Sequence, residues 1–118
     1  MALGRERWTK LEVPVTLEAP RSTHRIDLMY VSPAGMFVPD DLDLERYSPV
    51  TVRFSVEGQK VVAHTEMRHL LTSEQASDRG IPDPTGGTEL RIVRMEGDGS
   101  QILAEHIKKV MMESGGPR

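Results

Sequence analysis

The stretch Val50-Thr51-Val52-Arg53-Phe54-Ser55-Val56-Glu57-Gly58-Gln59-Lys60-Val61 places an apolar residue at every second position up to Val56, then turns at Glu57-Gly58. Strict alternation is the period of a strand with one face buried and one face wet. Gly58 supplies positive φ at no steric cost, so the two arms read as an antiparallel hairpin. Gln59–Leu71 returns as a long strand with Val61, Ala63, Thr65, Met67 and His69 on one side, and its less regular pattern predicts a bulge or bend near His64.

Working outward, Leu11–Glu18 alternates in the same way, with Pro14 on the polar side, where an edge or strand end tolerates it. After Ala19-Pro20 a second strand opens at Ser22, with Ile26, Leu28 and Tyr30 alternating against Arg25, Asp27 and Met29. Ser32-Pro33-Ala34-Gly35 is a turn into the apolar run Met36-Phe37-Val38. Leu42–Ser48 reads as a loop that carries Leu42, Leu44 and Tyr47 back to the core. Thr72–Gly87, polar and rich in Gly and Pro, reads as a long functional or mobile loop. Thr88–Met95 is the last strand. Asp98 then caps a helix, with Gln101 in capping-box spacing. Ile102, Leu103, Ile107, Val110 and Met111 form its apolar stripe until Ser114-Gly115-Gly116-Pro117 stops it.

The fold class expected is all-β: a small six-stranded antiparallel β-barrel with one C-terminal α-helix plugging an end. Residues 1–10 are expected to be a flexible N-terminal segment, 11–113 the barrel with its helix, and 114–118 a disordered tail. At 118 residues the chain can bury one core without staples. It carries no cysteine, which excludes disulfides and thiolate metal sites. The net charge of −3 and only five aromatic residues, Trp8, Tyr30, Phe37, Tyr47 and Phe54, argue against a nucleic-acid-binding barrel. No apolar run reaches the roughly 18 residues of a membrane span, and Met1–Glu12 lacks the apolar centre of a signal peptide, so a cytoplasmic protein is expected.

The stretch Tyr30-Val31-Ser32-Pro33-Ala34-Gly35-Met36-Phe37-Val38, with the strand order around it, resembles PilZ domains. Members of that family carry an Asp/Asn-x-Ser-x-x-Gly motif at this turn. Ser32 and Gly35 match it, and Tyr30 stands where the family has Asp or Asn. The resemblance implies a bacterial regulatory domain and a possible ligand, the second messenger cyclic di-GMP. In family members that bind it, an N-terminal Arg-x-x-x-Arg segment wraps the ligand, because phosphates and guanine edges suit planar guanidinium groups. Here that segment holds Arg5, Arg7 and Lys10, with no paired arginines at that spacing. The spacing does occur at Arg21 and Arg25, but after the first strand, and we read it there as coincidental. The candidate ligand-binding residues are therefore Arg5, Arg7, Lys10, Tyr30, Ser32 and Gly35.

Both motifs being incomplete, the resemblance implies a signalling or adaptor domain in cyclic-di-GMP-linked regulation of motility, pili or surface behaviour. It would act through an unidentified protein partner, with weak or no nucleotide binding. A genuine cyclic di-GMP receptor using the basic segment and the Ser32–Gly35 turn is the alternative. No catalytic constellation is visible and no cofactor is expected. His24, His64, His69 and His106 lack zinc-ligand spacing, and Asp40, Asp41, Asp43 and Glu45 lack the graded pattern of a calcium loop.

Overall fold

The structure is a computed structural model and describes residues 8–82 and 85–115. Among the described residues there are eight strands and two helices: β1 (Thr9–Leu11), β2 (Val15–Ala19), β3 (Ser22–Ile26), β4 (Met29–Val31), β5 (Gly35–Val38), β6 (Pro49–Val56), β7 (Gln59–Leu71), α1 (Ser73–Asp78), β8 (Gly87–Met95) and α2 (Gly99–Gly115). All eight strands join one antiparallel sheet in the order β1-β4-β5-β8-β7-β6-β2-β3. The expected boundary after residue 10 falls inside β1, and the helix runs to Gly115, past the expected 113. Residues 116–118 lie outside the described residues.

Eight strands replace six because each of the first two expected strands is broken in the middle. Glu12–Pro14 interrupts one arm and Asp27-Leu28 the other, and Pro14, which cannot donate to a ladder, sits in the gap. The pairing Val15↔Ile26 resumes across the gap as Leu11↔Met29. Three residues therefore oppose two, as at a bulge, and the corner lets one hairpin serve both ends of the sheet. Its lower half pairs through β2 with β6, and its upper half through β4 with β5. The chain itself thus closes the curl, since the two ends of the sheet are the two halves of a single hairpin.

The break also reverses the faces of the second arm: Ile26 and Met29 both face the main core although an odd step separates them, whereas the first arm stays in phase through Leu11, Val13 and Val15. Met29 and Val31, not Tyr30, point into the main core, while Leu28 is only half-buried. The alternation expected through Ile26, Leu28 and Tyr30 is corrected accordingly.

The β6–β7 hairpin forms as read: Glu57 and Gly58 have φ of 50° and 80°, the pair of positive values that a two-residue hairpin turn of the right twist requires. The bulge expected near His64 is present between His64 and Thr65, and a second lies between Met67 and His69. Inside the curl, Leu17, Met29, Met36, Val38, Val52, Val61 and Leu90 form an aliphatic core, closed at one end by Leu103, Ile102 and Ile107 of α2. Asp98 precedes α2, and its carbonyl accepts the Ile102 N–H at 2.9 Å.

Two further expectations are corrected. Thr72–Gly87 is not a structureless loop: Thr72 and Gln75 form a reciprocal capping box that starts α1. Tyr47 does not return to the core. It is 58% exposed at φ 72°, held there because its N–H donates to the Met67 carbonyl at 2.7 Å and its neighbour Ser48 accepts from Met67 at 2.9 Å. Leu42 is buried and Leu44 packs partly against the core, as expected. No helix among the described residues is long and apolar enough to cross a membrane.

Candidate functional site

The turn Ser32–Gly35 is built by its own side chain. The Ser32 N–H donates to the Gly35 carbonyl at 2.9 Å, the Gly35 N–H donates to Ser32 Oγ at 3.1 Å, and that hydroxyl lies 3.3 Å from the Gly35 carbonyl. Ser32 is fully buried. Gly35 is needed for closeness and not for positive φ: a Cβ there would lie 2.8 Å from the Leu90 carbonyl oxygen across the β5–β8 ladder. Tyr30 points to the outer face of the sheet, where it is 2% exposed. It belongs to a second cluster with Trp8, Phe37, Leu71, Ala76 and Ile81. Its ring and that of Phe37 are tilted against each other at 6.2 Å, within the range of a favourable aromatic pair. Helix α1 covers this cluster through Ala76, and the Trp8 indole donates to the Arg79 carbonyl at 3.0 Å.

The structure thus brings Tyr30, Ser32 and Gly35 together, with exposed Lys10 beside them, since Lys10 pairs with Tyr30 across β1–β4. Arg5 and Arg7 lie outside the described residues. Arg25 lies on β3 at the opposite end of the sheet order and pairs with Thr16.

A recess of about 380 Å³ opens beside Gly35, lined by Trp8, His69, Glu89 and three arginines, Arg68, Arg79 and Arg91. Each arginine arrives by a different route. Arg68 is the extra residue of the second β7 bulge, opposite no partner on β8, and a bulge re-aims its side chain. Arg79 is the C-cap of α1. Arg91 sits opposite Glu66 in the β7–β8 ladder. Arg79 bonds Glu89, and Glu66 lies 3.5 Å from Arg91 and 3.8 Å from Arg68. The Arg68 Nε is buried without a hydrogen-bond partner, and its guanidinium carbon stands 5.2 Å from the centre of the exposed Tyr47 ring. Arg46 lies over the same ring at 5.9 Å and bonds His69 at 2.9 Å. This convergence was not legible in the sequence. The arginines are scattered over 24 positions and share no motif, and only the Thr72/Gln75 capping box hinted at the helix that delivers Arg79.

On the other side of the same turn, Ser32 and Pro33 border a groove of about 580 Å³. Its walls are Ile92 and Met95 of β8 and Leu103, Ala104, Ile107 and Met112 of α2. The back of α2 is fastened to the β6–β7 turn, where Glu57 accepts from His106 at 3.0 Å and Lys109 at 3.2 Å. Those two bonds, His106 first, hold the Glu57 carboxyl below its ordinary pKa. Glu96 is lowered likewise, chiefly by His64 at 2.7 Å. The Glu18 carboxylate at 2.9 Å raises the Arg53 pKa above its usual value. The four histidines are dispersed: His24 bonds Ser22, and the other three pair with Glu96, Arg46 and Glu57.

No protein-family model matches this chain, and no curated protein matches it. Among solved structures it is similar to the Bacillus subtilis inhibitor of motility, MotI/DgrA, with a TM-score of 0.58 at 11% identity. The alignment covers 91% of this chain and 51% of that one, so the chain spans about half the length of that protein. At this identity the likeness is one of fold. The architecture is all-β and PilZ-like, a curled antiparallel sheet with one long C-terminal helix.

Proposed function

We propose that this chain is a PilZ-type regulatory domain, not an enzyme, that acts through protein contacts in the bacterial cytoplasm and binds cyclic di-GMP weakly or not at all. One observation carries this reading: the side chains with which the family motif would meet a guanine are spent on the fold. Tyr30 is sealed in the aromatic cluster and Ser32 closes its own turn. The likeness in fold to a motility inhibitor supports a role in regulating motility. The apolar groove beside α2 gives such a domain a surface for protein contacts.

A second reading, a genuine cyclic di-GMP receptor, is favoured by the arginine recess beside Gly35. Guanidinium groups suit phosphate and guanine edges alike. Glu89 and Glu66 already engage Arg79 and Arg91, however, so a ligand there must compete with internal carboxylates. Calorimetric titration of the full chain with cyclic di-GMP at physiological salt separates the two. Binding no tighter than about millimolar fits the first, because losing a charged bidentate contact typically costs about 2–5 kcal/mol. A submicromolar Kd, abolished by Arg68→Ala or Arg91→Ala, establishes the second.

A further inference from the structure

We propose that the groove beside α2 is the interface with a second copy of this chain, in which the two α2 helices pack antiparallel about a two-fold axis. The proposal rests on the reading of this domain as one that works through protein contacts, and it names the partner.

The groove lacks an occupant from this chain among the described residues, although α2 is firmly held on its other side. Leu103 is buried in the core, and His106 and Lys109 are tied to Glu57. The opposite face, with Ala104, Glu105, Lys108 and Met112, is exposed, and Met112 is the most exposed large apolar side chain described, at 69%. An exposed apolar knob next to an open apolar groove is unusual on a monomer and marks a contact surface.

Knob and groove run side by side along one helix, from Ser100 to Met112, so each copy can offer the same patch in an isologous contact, in which residue i meets residue j twice. The α2 sequence is self-complementary about a point between His106 and Ile107. With the two-fold axis there, Glu105 of each copy faces Lys108 of the other, so opposite charges meet twice. Met112 then comes to rest over Ser100 and Ala104 of the second copy. Those two small residues line the groove and leave room between α2 and the Ile92–Met95 wall. Small side chains at a crossing let helices approach closely, at interaxial distances of about 8–10 Å. Among the described residues no carboxylate lines the groove, and Lys108 is the one charged residue there. The second copy's Glu105 meets it in this arrangement.

Sedimentation equilibrium of the full chain from micromolar to millimolar concentration tests the proposal. A reversible monomer–dimer equilibrium is expected. Lys108→Glu, Glu105→Lys and Met112→Lys should each weaken it by about tenfold or more, the first two by setting like charges face to face. The double exchange Glu105→Lys with Lys108→Glu should restore the parent association, a rescue that no general damage to α2 would produce. All three positions are exposed, so unchanged melting curves identify folded variants. A chain that stays monomeric throughout the range overturns the proposal, as does a dimer indifferent to the single charge reversals. Either result leaves the cyclic di-GMP titration, and the regulatory reading it tests, intact.

Discussion

The aliphatic core inside the curl and the aromatic cluster outside it are built on the same two strands. Met29, Val31, Met36 and Val38 of β4 and β5 point inward, while Tyr30 and Phe37, between them in sequence, point outward. Both strands are therefore buried on both faces, as expected only when something covers the outside. What covers it is Trp8 before β1 and α1 after β7. The inner core needs only the sheet to curl, whereas the outer cluster needs two segments distant in sequence to arrive together. That difference bears on the proposed function, because Tyr30 of the outer cluster stands where PilZ domains, which the sequence resembles, carry Asp or Asn.

The largest expected effect tests whether the two regions are of equal standing. Phe37 is fully buried at the centre of the outer cluster, and Leu17 is fully buried in the inner core. Phe37→Ala should cost about 3–5 kcal/mol and Leu17→Ala about 2–5 kcal/mol, each shifting a single thermal transition. If Phe37→Ala instead melts within a degree or so of the parent, the outer cluster is a loosely attached cover and the comparison fails.

The inner core was largely legible in the sequence because alternation at Val50–Val56 and Val61–Met67 reports a buried face directly. Three things were not. The break at Glu12–Pro14 and Asp27-Leu28 adds one residue to one arm, and no local pattern marks which face follows it. Helix α1 has six residues, too few for helical periodicity to show, although its capping box stands in the sequence. Tyr47 looks like a core aromatic, but the loop's backbone bonds to Met67 turn it out between Arg46 and Arg68. The candidate site was legible at Ser32 and Gly35, whose turn forms. The arginines of the recess are assembled by pairing and by α1, and so were not.

The next effect sharpens the comparison at the seam between the two regions. Gly35 carries no positive φ, so replacing it does not strain its own backbone. The obstacle is the Leu90 carbonyl oxygen, 2.8 Å from where a Cβ would sit, and a ladder carbonyl cannot rotate away without breaking the β5–β8 pairing. Gly35→Ala should destabilise as well as Gly35→Val, the latter by about 1–3 kcal/mol. Thermal melts of both variants check this. An Ala variant with the parent's melting temperature would show that β5 and β8 can part slightly at no cost.

The smallest effect separates the covers of the two regions. Thr72 and Gln75, which cap α1 over the outer cluster, carry no titratable group. Helix α2, which closes the inner core, is tied to Glu57 through His106 and Lys109. Because the Glu57 pKa is lowered in the folded state, the unfolded chain binds this proton more readily, and linkage fixes the sign. The contribution is fully present above the carboxylate's ordinary pKa of 4.5 and disappears as the pH falls from there through the lower folded value. The three groups are at the surface, where water and salt screen such pairs, so the shift in melting temperature should be small and should shrink further at high salt. Glu57→Gln should melt below the parent at pH 7, and the two curves should converge as the pH falls through the lowered folded pKa, where the parent's carboxylate is protonated too. Melts of both proteins, followed by helical circular dichroism across that range at low and high salt, check the expectation. Curves that stay parallel would mean that α2 is held by Leu103, Ile102 and Ile107 alone, and that the inner core's cover owes nothing to charge.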